Sequence, residues 1–390
     1  MNIIGTNIIS SLGFTTNENF ENVKRFISGI KHYDIGTFDL PEAFMASLID
    51  KERLNDEFSA VFGSDEARPV STELTGLEKA TILSVFTANK ESQIDLSNKK
   101  TIFVLSTTKG NVDLLENEAC HCRLDPQSPI YLWKTAETIA GFFKNPNTPI
   151  IVSNACISGS AAQIVAMREL EAGNYDYAVV AGVDFLSKFI ISGFQSFKAL
   201  TPELCQPFDK DRCGLNLGEA AATIIFSRVE TRCATSLLNG AIRNDANHIS
   251  APSRTGEGCF RALYSILHTQ YSIPPEEIAF ISAHGTATPY NDAMEVNAIV
   301  RAGLENVPVN SLKAFFGHTL GAAGILESII SMKAFEENMA LKSINFNEQD
   351  FENKINILKE NHISDKKYFI KMMSGFGGVN AVLLFGKNKK

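Results

Sequence analysis

Short, almost continuously apolar runs alternating with helical patterns constrain this chain more than any other feature. The strand-like runs are TIFVLST (101–107), PIIVSN (149–154), YAVVAGVD (177–184), ATIIFSR (222–228), LLNGAIRN (237–244), IAFISAH (278–284), FIKMMSG (369–375) and AVLLFG (381–386). Strands apolar on both faces need cover on both faces. The covering helices are legible as LEKATILSVFTA, SGSAAQIVAMRELEAG, GEGCFRALYSILHTQY and AGILESIISMKAFEEN. The second begins with small residues and stops at a glycine. Strand and helix in alternation predict a layered α/β fold. Residues 30–75 are the least regular, and short helices and loops are expected there.

Two segments match in placement rather than in letters. PIIVSNACISGSAA leads from a strand through Cys156 into a small-residue helix start, and NSLKAFFGHTLGAAG does the same around His318. This hints at two related halves, joined near 229–236, where SRVETRCATS is polar and non-periodic. The halves are taken as 1–229, with the cysteine, and 230–390, with His284, His318 and the glycine-rich end.

The chemistry-bearing residues sit in these segments. A cysteine between a strand and a helix start meets a dipole and free N–H groups that favour the thiolate, and unpaired N–H groups there can hold an oxyanion. The alternative is a buried structural thiol. His284, in ISAHGTATPYND, is followed by Thr286 and Thr288, expected on one side of an extended segment where they can bond a polar substrate arm. Asn291, Asp292 and Glu295 are close enough to orient that loop. His318 has Lys313 five residues before it and Glu327 nine after, groups able to set a histidine's tautomer and charge. The plain alternatives are a histidine satisfied in the core and an ordinary ion pair. A nucleophile and two imidazoles far apart in sequence imply a site assembled by folding.

Composition narrows the classes. With 36 basic and 44 acidic residues the net charge is −8, which argues against nucleic acid or an anionic membrane as main partner. No run reaches the roughly 18 apolar residues of a membrane helix. The apolar start MNIIGTNIISSLGF has no basic residue before it, so no signal peptide is read and a cytoplasmic location is expected. Seven thinly spread cysteines do not form a disulfide framework. Cys120, His121 and Cys122 lack knuckle spacing, and no metal is expected. SGFGGVNAVLLF is not a dinucleotide fingerprint, and phosphate-loop and G-x-S-x-G motifs are absent.

Taken together, NACISGS, PFDKDRCGLNLGEAA, AHGTATPYND, KAFFGHTLGAAG and GFGGVNA, in this order, resemble the β-ketoacyl-[acyl carrier protein] synthases of the thiolase-like superfamily, in their elongating Cys-His-His form. The resemblance implies a five-layered αβαβα fold of two similar halves, usually dimeric. It makes Cys156 the acyl-accepting nucleophile, His284 and His318 the catalytic histidines, and Lys313 and Glu327 members of their network. Phe376 becomes the gating phenylalanine, whose N–H forms an oxyanion hole with that of Cys156. Thr286 and Thr288 would hold the phosphopantetheine arm of an acyl carrier protein. The implied reaction is decarboxylative condensation of an acyl thioester with malonyl-carrier protein, with no cofactor of the enzyme's own.

Departures from the family form shade this reading. Cys213, Leu215 and Asn216 replace the usual residues after Arg212, and the stretch before Cys156 is short. Both favour a specialised polyene or polyketide-like pathway over bulk fatty acid elongation. They also leave open a non-elongating partner or scaffold subunit of a heteromeric ketosynthase that docks carrier proteins; a homodimer, or a heterodimer with a related synthase subunit, is expected. Phe376 stands where thiolases place a second cysteine, which disfavours non-decarboxylative chemistry. Lys188, Lys198, Arg254 and Arg261 are candidates for a basic rim facing an acidic carrier; Lys210 and Arg212, beside Asp209 and Asp211, serve equally as rim or as internal ion pairs, with the ion pair favoured for Arg212.

Overall fold

The computed structural model describes residues 1–63, 74–116, 128–229, 234–268 and 272–388. Cys120, His121 and Cys122 lie outside the described residues. The first half runs β1 (Asn2–Ser10), α1 (Thr16–Lys24), β2 (Lys31–Tyr33), β3 (Phe44–Ser47), α2 (Lys51–Phe62), α3 (Gly76–Ser92), β4 (Thr101–Ser106), α4 (Leu132–Phe142), β5 (Ile150–Val152), α5 (Ser158–Glu171), β6 (Tyr177–Asp184), α6 (Lys188–Ser196), β7 (Leu217–Gly218) and β8 (Ala220–Ser227). The second runs β9 (Thr235–Asn244), α7 (Glu257–Leu267), β10 (Ile278–Ser282), α8 (Pro289–Arg301), β11 (Val309–Asn310), α9 (Lys313–Phe316), α10 (Ala323–Glu336), β12 (Met339–Ala340), β13 (His362–Ile363), β14 (Tyr368–Gly375) and β15 (Val379–Lys387). We place the division between the halves at 229 and 230.

Ten strands form one sheet in the order β11-β10-β14-β15-β9-β1-β8-β6-β4-β5. Its two ends repeat one pattern. β4 runs parallel to β5 and β6, β6 pairs antiparallel with β8, and β8 pairs antiparallel with β1. β10 runs parallel to β11 and β14, β14 pairs antiparallel with β15, and β15 pairs antiparallel with β9. The related half-sheets meet where Asn2 of β1 pairs with Ser236 of β9.

Side-chain alternation builds five layers. Ile102 and Val104 of β4 point to the centre, where α5 and α10 lie, and Phe280, Phe369 and Phe385 reach the same central cluster from the other half-sheet. Phe103 and Leu105 point outward against α3 and α4. Ile370, Met372, Val382 and Leu384 point outward against α7 and α8. The order is therefore helices, half-sheet, α5 with α10, half-sheet, helices: a thiolase-like α/β fold.

Local signals differ between the outer and central helices. α1 and α3 carry capping boxes, Thr15 with Glu18 and Thr75 with Glu78. No side chain caps α5 or α10. Their starts approach each other through small residues. A Cβ on Gly159 would lie 2.9 Å from the Gly321 carbonyl and 3.0 Å from the Ile325 nitrogen. One on Gly324 would lie 2.5 Å from the Ser160 nitrogen. These obstacles are backbone, so neither can be turned aside.

The expected strands and helices form close to their read positions. Several elements are not legible in the sequence, among them the helices α1, α2, α4, α6 and α8. β1 lies between β8 and β9, although its sequence NIIGTNIIS lacks a clean two-residue period. The 30–75 segment supplies β2 and β3, which pair with each other, and β3 pairs with β7, in a small separate sheet.

Gly324→Ala should lower stability by about 1–3 kcal/mol through overpacking, and Gly159→Ala should do likewise. Both open one gap, so the double variant should cost less than the two losses combined. Urea unfolding followed by circular dichroism measures this; strictly additive losses would show two independent contacts.

Candidate active site

The equivalent ends of the two half-sheets carry the reactive groups. Cys156 follows β5 and precedes α5, and His318 follows β11 and precedes α10. Ala155, just before the cysteine, has φ 46°, a left-handed turn that strains any side-chain-bearing residue. The turn is secured by Ser158, whose hydroxyl donates to the Ala155 carbonyl at 2.6 Å and accepts from the Asn154 N–H at 2.8 Å. Cys156 is thereby presented at the uncapped N-terminus of a 14-residue helix.

The Cys156 sulfur and one ring nitrogen from each of His284 and His318 all lie within 4.8 Å of one another, and all three residues are buried. The imidazoles meet edge to face with centroids 5.0 Å apart. Nδ1 of His318 accepts the Leu320 N–H at 3.2 Å, which places the ring hydrogen on Nε2. That Nε2 and Nδ1 of His284 have no protein partner. Burial, reinforced by the charge of Lys313, holds both histidines well below their ordinary pKa, so both are neutral at pH 7. Burial pushes the Cys156 thiol up to about 11, opposed by the charge of Lys313 and by the backbone N–H groups of Phe376 and of Cys156 itself.

The supporting shell is charged. Lys313 and Glu327 form a buried ion pair, and Lys371 on β14 takes the second Glu327 oxygen. Glu295 accepts the N–H groups of His284 and Gly285, each at 2.7 Å. Asp292 accepts those of Thr286 at 3.0 Å and Phe208 at 2.7 Å. Burial raises both carboxyls, Asp292 to about 6 and Glu295 to about 7. On the other side, Asp184 accepts the Gly321 N–H at 2.7 Å and pairs with Lys109 at 2.9 Å. The Asn216 carbonyl accepts the His318 N–H at 2.7 Å.

A cavity of about 390 Å³ opens onto the three residues. Thr286 and Thr288 line it, their hydroxyls 2.9 Å apart. They do not sit on an extended strand: Gly285 at φ 45° and Ala287 at φ 62° curl the segment, which the bonds from Asp292 and Glu295 require. Phe376, 38% exposed, stacks on Phe194 at 5.9 Å and meets Phe197 edge-on at 5.6 Å. Cys213 and Leu215 form part of the same wall. Lys198 stands at the mouth, exposed, and among the described residues has no ion-pair partner, like Lys188 and Arg254. Arg261 is engaged by Glu257, Lys210 by Glu348 and Arg212 by Asp350.

The eight residues that the resemblance assigns to the site are thus brought to one centre: the three reactive groups, Lys313 and Glu327 behind them, and Phe376, Thr286 and Thr288 on the cavity wall. Lys371 and Asp184 were missed. Their signals were a charged residue inside or ending an apolar strand run, FIKMMSG and YAVVAGVD. Among the described residues no helix is long and apolar enough to cross a membrane.

Comparison with known proteins agrees with this geometry. Residues 106–237 match the N-terminal domain of beta-ketoacyl synthase and residues 235–347 its C-terminal domain, together more than half of the chain. The chain is 31% identical over 261 residues to 3-oxoacyl-[acyl-carrier-protein] synthase 2 of Rhizobium meliloti (strain 1021), covering 62% of this chain and 61% of that one. It spans about three fifths of the length of the curated relatives it matches. Among solved structures, the ishigamide ketosynthase/chain length factor superposes with a TM-score of 0.84 at 25% identity, over 100% of this chain and 99% of that one. The ketosynthase ApeO, in complex with its chain length factor ApeC from Xenorhabdus doucetiae, has the same fold, with a TM-score of 0.82 at 23% identity over 99% and 98% of the two chains. With both domains matched and a buried cysteine facing two histidines, this chain belongs to the β-ketoacyl synthase family.

Proposed function

We propose that this protein is a ketosynthase that condenses an acyl thioester with malonyl-acyl carrier protein. The observation that carries the reading is the convergence of Cys156, His284 and His318, whose sulfur and ring nitrogens lie within 4.8 Å of one another at the wall of one cavity. Cys156 attacks the carbonyl carbon of an acyl-carrier thioester. The phosphopantetheine thiol leaves and takes up the proton, and the oxyanion is held by the Cys156 and Phe376 N–H groups. The positive end of α5 and the charge of Lys313 favour the thiolate in an otherwise apolar place.

Malonyl-carrier protein then enters along Thr286 and Thr288. Nε2–H of His318 and a ring N–H of His284 donate to its thioester carbonyl. The bond to the carboxylate breaks, CO2 departs, and the electron pair goes into an enolate held by the two imidazoles. The enolate carbon attacks the acyl-Cys156 carbonyl, a carbon–carbon bond forms, and the cysteine thiolate leaves and is reprotonated. Neutral imidazoles suit this role, because a donor is needed and a permanent cation is not. The phosphopantetheine belongs to the carrier and arrives as substrate.

Two further parts of the reading concern partners and product. We take the acidic carrier to dock at the basic rim around Lys198, Lys188 and Arg254. The aromatic wall of Phe194, Phe197 and Phe376 favours a flat, conjugated or polyketide-like chain over a saturated one. Two of the similar solved ketosynthases are paired with a chain length factor. On that ground we take a related subunit as the natural partner, with a homodimer as the other arrangement.

Cys156→Ala should abolish covalent acylation, seen by intact mass, while leaving malonyl decarboxylation measurable. His284→Ala and His318→Ala should each cut decarboxylation by about 10²–10³-fold and acylation less. Acylation of Cys156→Ala at the wild-type rate would remove the nucleophile assignment, and loss of product across all acyl chains in the wild type would remove the whole reading.

Lys198→Glu should weaken carrier binding several-fold and flatten its salt dependence. Titration calorimetry at low and high salt checks this; salt-independent wild-type binding would exclude electrostatic docking.

Competition between acyl carriers of graded length and unsaturation tests the product. Preference for conjugated chains is expected, and preference for saturated medium and long chains alone would return the enzyme to fatty acid elongation.

A further inference from the structure

Lys371 sits within β14 opposite Ser282 of β10, and it is fully buried. A buried ammonium is costly unless its hydrogens find acceptors and its charge finds a partner. Both are supplied. Its Nζ donates to the carbonyl oxygens of Ser282 at 3.3 Å and Ala283 at 3.0 Å, and it pairs with Glu327. Those carbonyls belong to the two residues that immediately precede His284. The other Glu327 oxygen takes Lys313, at the start of the short helix that leads to His318.

We propose that Lys371 is a positioning residue for the condensation step, clamping His284 through the carbonyls that precede it and tying it to the His318 side through the Glu327 it shares with Lys313. This rests on the ketosynthase reading above. His284 is then held from two directions. Glu295 draws on its N–H, while Lys371 draws on the backbone just upstream. The arrangement also explains why one carboxylate carries two cations. With Lys313 alone, Glu327 would neutralise the charge behind the histidines. With Lys371 added, one net positive charge remains near the place where carboxylate and enolate charge develops.

The charged and titratable groups around Lys371 are Glu327 on α10, Lys313 on α9, Glu295 on α8 and the two histidines; its β15 partner is Leu383. Burial pulls Lys371 down to about 8, and the attraction of Glu327 works against this. The clamp is therefore charged below that pH and lost as pH rises through it. Both histidines titrate well below 6.5, Glu295 near 7 and Cys156 near 11, which leaves the region around pH 8–9 to Lys371.

The test is steady-state condensation by the full chain with acyl- and malonyl-carrier proteins, from about pH 6 to about pH 10, for the wild type, Lys371→Met and Lys371→Arg. The wild type should lose kcat as pH passes about 8. Lys371→Met should lower kcat by on the order of 10²-fold, as misplaced groups do, with KM within about threefold and no falling limb near 8. Lys371→Arg, whose cation stays charged, should recover activity and keep it through pH 9. A Lys371→Met enzyme with the wild-type kcat and pH profile would overturn the inference. If that variant does not fold, by melting temperature and circular dichroism, Lys371→Arg decides: a limb still falling near 8 would overturn it. Failure of the ketosynthase reading shows differently, as a wild type that makes no product.

Discussion

The close approach of α5 and α10 is the contact on which the rest depends. Each helix begins just after its half's reactive residue, so the distance between their starts sets the distance between thiol and imidazole. Any side chain at Gly159 or Gly324 would wedge the backbones apart. The same two helices fill the middle layer and receive the inner faces of both half-sheets. A displacement there cannot be absorbed by a loop, because both helices are packed into the central apolar cluster along most of their length. The repeated pattern of the halves has a chemical use: it brings two equivalent strand-to-helix turns together, one carrying sulfur and the other nitrogen.

Burial then sets the electrostatics. Burial raises the thiol and lowers the imidazoles, keeping all three neutral at rest. Neutral groups cost little to bury, and the charges that assist them are placed one step back and hydrogen-bonded. Glu327 with two lysines, Glu295 and Asp292 on the His284 loop, and Asp184 on the His318 loop all bond backbone or opposite charge. Removing one member of such a set leaves the others buried and unpaired, which typically costs about 3–5 kcal/mol. The network therefore specifies geometry more than it adds stability.

The sequence carried the layers because strands covered on both faces write themselves as unbroken apolar runs. It carried Cys156, His284 and His318 because each sits in a glycine-rich turn at the end of such a run. β1 was not legible as a strand: Gly5, Thr6 and Asn7 interrupt its apolar residues. Gly5 is small because a Cβ there would run into the Ala88 carbonyl of α3, a tertiary demand that no local pattern shows. The curl at Thr286 depends on Asp292 and Glu295 folding back from α8, so local reading gave an extended segment instead. Lys371 was passed over within FIKMMSG because its partners lie on β10 and α10, far away in the chain. Local periodicity records which face is buried; it does not record what a buried charge is bonded to.

The place of β1 in the sheet bears on the order in which the chain can assemble during synthesis. This strand is made first, yet its neighbours are β8, which begins at Ala220, and β9, which begins at Thr235. At the usual rate of about 5–20 residues per second, roughly ten to forty seconds pass before either exists. Through that interval Ile8 and Ile9, fully buried in the finished protein, have no sheet to join. Nearly the whole first half must leave the ribosome before its sheet can close, and the second half then builds onto the free edge of the strand that waited longest.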